Sequence, residues 1–349
     1  MLKPVTQTTR ATRLADMGVV RAQGADAVKF LQGQVSNDVA RLAADRSVLA
    51  GLHNAQGRAI AVLRMVLVGP DEILMLVPRE LASGVAARLS KFVLRAKVKI
   101  SDVSAEWEVA GVELGGIAEG LPATSVGAAR RDEDGCVWVC VATGVGANAD
   151  GASAHAASTS SDRAPAHAPA SRWLVVSKAT PSAEPRGDQE SAVLHVGNLT
   201  PSPMTRDEWR AADIADGLPQ VVTATTEAFV AQMLNLDVLD GIAFDKGCYT
   251  GQEVIARAHY RGKVKRRTQR FRTREPAKLN AGDSGTLCDG RSFKVVDAVQ
   301  LSGGRSEFLA VAPMTASGAA DDEARPAATT ETAAPLNAEQ LPLPYALPG

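Results

Sequence analysis

The chain has 349 residues, with 38 Lys and Arg against 39 Asp and Glu, for a formal net charge of −1. That length allows two or three domains with their own cores, and the balance excludes a polycation, so affinity for nucleic acid would have to come from a local patch. The four cysteines, Cys136, Cys140, Cys248 and Cys288, form no Cys-x-x-Cys pair, which excludes a zinc knuckle or thioredoxin-type dithiol, and their sparse spacing fits a reducing compartment.

The first residues, MLKPVTQTTRATRLADMG, are charged and lack the apolar stretch of a secretory signal. No apolar run reaches membrane-spanning length. The expectation is a cytoplasmic monomer away from the membrane; Lys3, Arg10 and Arg13 without an acid leave an organellar transit peptide as the alternative.

GVVRAQ at 18–23 reads as a strand. In the following GADAVKFLQGQVSNDVARL, Asp26 is placed to cap a helix carrying Val28, Phe30, Leu31 and Val35, and Ser36 to cap a second short one. LHNAQGRAIAVLRMVLVG turns at Gln56-Gly57 between two strands, and DEILMLVP is the next strand. Leu81 to Phe92 is a helix with Leu81, Val85, Leu89 and Phe92 on one face. Without a regular βαβ rhythm, this mixture predicts an α+β fold.

In GCVWVCVA, Cys136, Trp138 and Cys140 alternate with Val137, Val139 and Val141, a strand pattern that makes the two cysteines small core residues. RWLVVS at 172–177 is a second strand. The Ala-, Ser-, Gly- and Pro-rich segment between them, 143–171, predicts a disordered insertion in one hairpin. A second low-complexity insertion spans 315–335. A Trp-led helix, DEWRAADIADG, is followed by EAFVAQML, read as an amphipathic helix with Phe229, Met233 and Leu234 inward. Residues 268–312 are short β-runs with turn signals, as in a small all-β domain.

The densest stretch is DKGCYTGQEVIARAHYRGKVKRR, 245–267. Thr250-Gly251-Gln252-Glu253 matches a capping box, with Thr250 at the N-cap and Glu253 closing it. The helix would bury Val254, Ile255 and Ala258 and expose Arg257 and Arg261. Cys248 then lies just ahead of a helix N-terminus, near Lys246 and Arg257, between Gly247 and Gly251. All of these favour a thiolate and an accessible sulfur. Two readings stand: a reactive cysteine, or a structural cysteine in a turn. His259 is the one nearby base, at the far end of the helix, or else half of a solvated His-Tyr pair. From Arg257 to Arg274 there are nine Lys or Arg and no acid. This run is either a solvated strand face or a wall for anions such as RNA phosphates or a polyanionic cofactor tail.

KGCYTGQEVIARAHYRGKVKR closely resembles the signature of the YgfZ-type proteins, folate-binding relatives of the glycine-cleavage T-protein, whose mitochondrial members act in maturing iron–sulfur enzymes. GADAVKFLQGQVSNDV, HNAQGRAIAVLR, EWRAADIADGLP and LPLPYALPG resemble further segments of that family. The resemblance implies a three-domain, ring-like fold of the T-protein (aminomethyltransferase) type with tetrahydrofolate, or a derivative, near its centre. The implied parts are a discontinuous α+β folate domain (12–103 plus 196–266), a middle domain (104–195) and a C-terminal β-barrel domain (267–349). Cys248 matches the family's motif cysteine, within Lys246, Gly247, Tyr249, Thr250, Gly251, Gln252, Glu253 and Arg257. Trp209 matches an aromatic that packs on folate, although a core tryptophan on a helix has the same pattern. Met17 falls where the family has a second stacking tryptophan. Where the T-protein carries the carboxylates of its aminomethyl chemistry, this chain has Ala61 and Val62, and neither can exchange a proton. The resemblance thus implies a folate-binding accessory factor with iron–sulfur enzymes as client proteins, supporting tRNA modification through cluster-dependent enzymes, with the aminomethyl transfer itself lost. A folate-dependent one-carbon transferase and an RNA-binding module using 257–274 are the alternatives.

Overall fold

Alternating apolar side chains build three largely antiparallel sheets, and helical spacing adds only short helices. The computed structural model describes residues 9–115, 125–143, 170–179, 201–262, 264–314 and 334–348. In chain order the elements are β1 (Thr9–Arg13), β2 (Met17–Gln23), α1 (Ala27–Gln32), β3 (Val48–His53), β4 (Ala59–Gly69), β5 (Glu72–Pro78), α2 (Arg79–Ser90) and β6 (Lys99–Asp102). Next come β7 (Trp107–Gly115), β8 (Ala129–Arg131), β9 (Val137–Ala142), β10 (Ala170–Lys178), β11 (Ser202–Pro203) and α3 (Arg206–Ala215). The chain continues with α4 (Gln252–Tyr260), β12 (Arg266–Thr273), β13 (Ser284–Thr286), β14 (Ser292–Gln300), β15 (Ser306–Pro313) and β16 (Ala338–Leu341).

The first sheet has the order β3-β4-β5-β2-β6. Its strands are buried on both sides, which is why they read as near-continuous apolar runs. Val20, Ala22, Leu63, Met65 and Met75 face α1 and α2; Val19, Val66, Leu74 and Leu76 face the second sheet. That second sheet runs β11-β1-β7-β10-β9-β8. Val137, Val139 and Val141 turn toward the first sheet, and Trp138 and Cys140 turn away, as their alternation predicts. β9 and β10 pair antiparallel across the chain's long insertion. The insertions expected at 143–171 and 315–335 lie almost wholly outside the described residues. One boundary differs from the expected segmentation. β1 pairs with β7 over its whole length, so the chain enters the second sheet before it starts the first.

The C-terminal sheet has the order β13-β14-β15-β12-β16. Among the described residues, its two edges meet at a parallel bridge, Leu287 to Leu336, with Leu336 N donating to Thr286 O and Cys288 N to Leu336 O. Phe271, Phe293 and Phe308 fill its interior.

Several local expectations are corrected. Residues 227–234 do not form an amphipathic helix. Phe229 lies in an extended segment whose carbonyl accepts from Ala59 N, and only Ala231–Leu234 makes a 3-10 turn. Ser36 caps nothing; its hydroxyl donates to Gly241 O at 2.7 Å, and Asp38 caps the short turn that follows. Phe92 lies beyond α2 and is 49% exposed, because the helix stops at Ser90.

Candidate functional site

The Trp-led helix forms as its sequence predicts, and its start is secured by a genuine capping box. Thr205 Oγ1 accepts from Glu208 N, and Glu208 Oε2 accepts from Thr205 N at 2.8 Å. This fixes α3 against the second sheet and buries Trp209 over Gly111, where an added Cβ would come within 2.5 Å of the indole. The Arg172 guanidinium lies 4.5 Å from the Trp209 ring centre, and it also pairs with Asp213 and Asp216. Trp209 is therefore a core residue of the interface between the first two sheets, and it lines a pocket there as well.

Met17 lines the same pocket, so the two residues singled out for folate contact come together. Val62 of the Ala61-Val62 pair also faces it, while Ala61 points into the opposite core. Leu14, Leu76, Val141 and Leu174 give the wall its apolar character.

Three polar residues that sequence reasoning missed complete it. Arg64 follows Val62 on the same face of β4, and burial pushes its pKa down to about 10 against the opposing charge of Asp213. Asp213, on α3, is pushed up to about 6 by burial despite its ion pair with Arg172. Gln220 Oε1 is buried without a hydrogen-bond partner among the described residues. Arg64 was legible in one respect: it is the only charged side chain in the eleven residues of β4. An unpartnered buried acceptor beside a buried guanidinium and carboxyl is costly unless something else completes their bonding.

The 245–253 motif is not part of this pocket wall. It is fastened instead to the segment that follows α1. Lys246 Nζ donates to three backbone carbonyls, Gln32 O at 2.7 Å, Val35 O at 2.8 Å and Asn37 O at 2.7 Å. Three acceptors require the three donors of an ammonium, although burial pushes the Lys246 pKa down to about 8. Asn37 Nδ2 donates to Asp240 O, Ala243 N donates to Ser36 O, and Arg41 pairs with Asp240. The amide- and hydroxyl-rich run QGQVSND is thus the socket of the motif. Tyr249 and Ile255 are buried in one cluster with Val62, Ile214 and Val221. The motif thereby backs the pocket through shared core packing.

Cys248 is exposed on the loop ahead of α4. The expected capping box is absent there. Gly251, at φ 84°, is the N-cap, no side chain caps the helix, and Thr250 lies one residue outside it. An added Cβ on Gly251 would meet Asn54 O at 2.5 Å, so the β3–β4 turn requires the glycine. Gly247, by contrast, lies in open space and has no left-handed φ. Glu253 and Arg257 are exposed on α4, Gln252 is half-buried, Val254 is 40% exposed and only Ile255 is fully buried. His259 does not approach as a base; it stacks on Phe244 at 3.8 Å.

The basic run is largely consumed within the fold. Arg267 makes a buried two-pronged pair with Asp237, Arg270 and Arg272 share Glu307, and Arg274 pairs with Glu339. Among the described residues, no helix is long and apolar enough to cross a membrane.

The three-sheet α+β fold matches that of an aminomethyltransferase of the glycine cleavage system. The aminomethyltransferase T of the glycine cleavage system from Bartonella henselae superposes with a TM-score of 0.60 at 12% identity, covering 88% of this chain and 78% of that one. The tRNA-modifying protein YgfZ of Sodalis glossinidius is 29% identical over 301 residues, covering 83% of this chain and 81% of that protein. The tRNA-modifying protein YgfZ of Yersinia pseudotuberculosis serotype IB is 30% identical over 261 residues, covering 72% of this chain and 68% of the relative. No family model matches the chain. The chain belongs to the YgfZ family.

Proposed function

We propose that this protein binds a reduced folate in the Trp209 pocket and serves as an accessory factor for assembly or repair of iron–sulfur clusters, supporting tRNA modification through cluster-dependent enzymes. The observation that carries the folate reading is the chemistry of the wall. A pterin is a flat heteroaromatic ring edged by amide and amino groups. Met17, Leu14 and Trp209 offer apolar surface, Gln220 Oε1 and Asp213 accept hydrogen bonds, and Arg64 donates them. Bound there, a reduced folate would supply a one-carbon carrier. The residues of this chain bind and orient it; Val62 offers no acid or base at the pocket wall.

Cys248 is the reacting group in this reading, presented on a loop held in place by Lys246 and Tyr249. Cys248→Ala is expected to leave the melting temperature within about 2 °C, since an exposed side chain contributes little packing, and to abolish restoration of iron–sulfur enzyme activity in cells lacking the gene. Full restoration would make the cysteine a structural turn residue. The folate reading is tested by titrating tetrahydrofolate while following tryptophan fluorescence. A saturable signal is expected from the wild type, at least tenfold weaker binding from Arg64→Met, and a changed amplitude from Trp209→Phe. No saturable signal at millimolar ligand would remove folate from the account.

A further inference from the structure

Among the described residues, a group of cations without carboxylate partners gathers around the end of α2, outside the sequence's basic run. α2 ends at Ser90, and the chain then turns on bonds from Phe92 N to Leu89 O and from Val93 N to Ser90 O. Val93 and Ala96 pack onto the core, which drives the intervening side chains outward. Leu94 is 88% exposed, more than any other large apolar side chain described, and Phe92 is 49% exposed. Lys97 N donates to Asp26 Oδ2 at 2.6 Å, and this ties the loop to the start of α1, where Val28 is also exposed. Beside this apolar centre, along the chain or across the Lys97–Asp26 tie, are Lys29, Arg88, Lys91, Arg95 and Lys97, none with an ion pair among the described residues. Residues 88–99 contain no acid, and the carboxylate of Asp26 at the start of α1 is engaged by the Lys97 amide.

We propose that this surface binds a single-stranded RNA segment, with phosphates on the cationic rim and an unstacked base against Phe92 and Leu94. The balance of residues favours RNA over the alternatives. Protein interfaces are depleted in lysine, whereas three of these five cations are lysines. A membrane-inserting face needs a broad apolar stripe, and here the exposed apolar side chains are Val28, Phe92 and Leu94, interspersed with cations along the chain. Duplex RNA keeps its bases stacked, leaving the apolar centre without a partner, whereas splayed bases of single strands are bound on aromatic and apolar side chains beside a basic groove. The surface shares no residue with the Trp209 pocket, so the folate reading and this one stand or fall separately.

The test is fluorescence anisotropy with a labelled oligouridine about twelve nucleotides long, a blunt RNA duplex of equal length, polyglutamate, and vesicles of phosphatidylglycerol and phosphatidylcholine, all with the full chain. The single strand should bind most tightly, with a log–log salt slope of roughly −3.5 if all five cations are engaged. Lys91→Glu/Arg95→Glu should weaken binding at least tenfold and flatten the slope. Leu94→Ser should weaken it several-fold at unchanged slope, and this variant keeps the test valid should the double variant melt early. Arg257→Glu/Arg261→Glu should have no effect. Tighter binding to polyglutamate or to vesicles, loss of binding in the Arg257/Arg261 variant instead, or no binding at low salt would each overturn the proposal.

Discussion

Lys246 shows how one side chain can fix a loop. Its three carbonyl partners come from a single short segment, and its ammonium also sits 5.1 Å from the Tyr249 ring. Lys246→Met keeps the length of the side chain but leaves three carbonyls short of a donor. It is expected to lower stability by about 3 kcal/mol, measured by urea denaturation, while Arg257→Met on the exposed face of α4 should change it by less than about 0.5 kcal/mol. The cysteines offer a second check at this scale. Burial pushes the Cys140 thiol up to about 11 and raises Cys136 as well, whereas Cys248 and Cys288 are exposed. Brief alkylation of the native protein at neutral pH should therefore label Cys248 and Cys288 and spare Cys140, as read by peptide mass spectrometry. The motif marked Lys246 but not its structural task. A lysine beside a cysteine suggests electrostatics; its actual partners lie more than two hundred positions away, where no local pattern can reveal them.

At the scale of elements, two segments with the same cap pattern behave differently. Thr205-Arg-Asp-Glu208 forms a full capping box, while Thr250-Gly-Gln-Glu253 does not. The difference is the glycine, which takes a left-handed φ of 84° and shifts the helix start by one residue, placing Glu253 at the second helical position rather than the third. Thr250→Ala should then cost less than about 0.5 kcal/mol. Gly251→Ala should cost more than about 2 kcal/mol, since it combines a strained φ with a clash against Asn54 O; thermal melts of both variants decide the point. Strands were the most legible elements, because alternation in GCVWVCVA and the Gln56-Gly57 turn encode structure locally. Residues 227–234 misled because Phe229, Met233 and Leu234 are apolar at helical spacing. Their burial is achieved instead by backbone pairing with β4, a tertiary choice that spacing does not record.

Over the whole molecule, the pocket is a product of convergence: β4 brings Val62 and Arg64, α3 brings Trp209 and Asp213, and the turn after α3 brings Gln220. Of these pocket residues, Trp209, Met17 and Val62 were marked beforehand, and only through family resemblance, because residues on separate elements share no spacing. Global stability carries a pH signature from the same core. His53, at the end of β3, is 1% exposed, and burial pushes its pKa down to about 4 against an opposing backbone contact from Gly51. Between pH 4 and the ordinary histidine range near 6.5, the unfolded chain binds the proton that the folded chain refuses. Stability therefore rises with pH across that window and is lost on acidification, by about 3 kcal/mol for the full shift. His53→Phe should remove that component, so wild-type and variant urea midpoints should diverge between pH 7 and pH 4.5; parallel profiles would show that His53 does not titrate on unfolding.

The lysine socket also has a consequence in time. Lys246 is made 214 residues after Gln32. At elongation rates of about 5–20 residues per second, roughly 10–40 s separate the two on the ribosome. During that interval the QGQVSND carbonyls have emerged without the ammonium that closes them, and water or a chaperone must stand in for it. The N-terminal sheet can pair from its own strands, but its junction with the motif waits for translation to pass residue 246. The cysteine loop is thus set in place late, after the scaffold that receives it already exists.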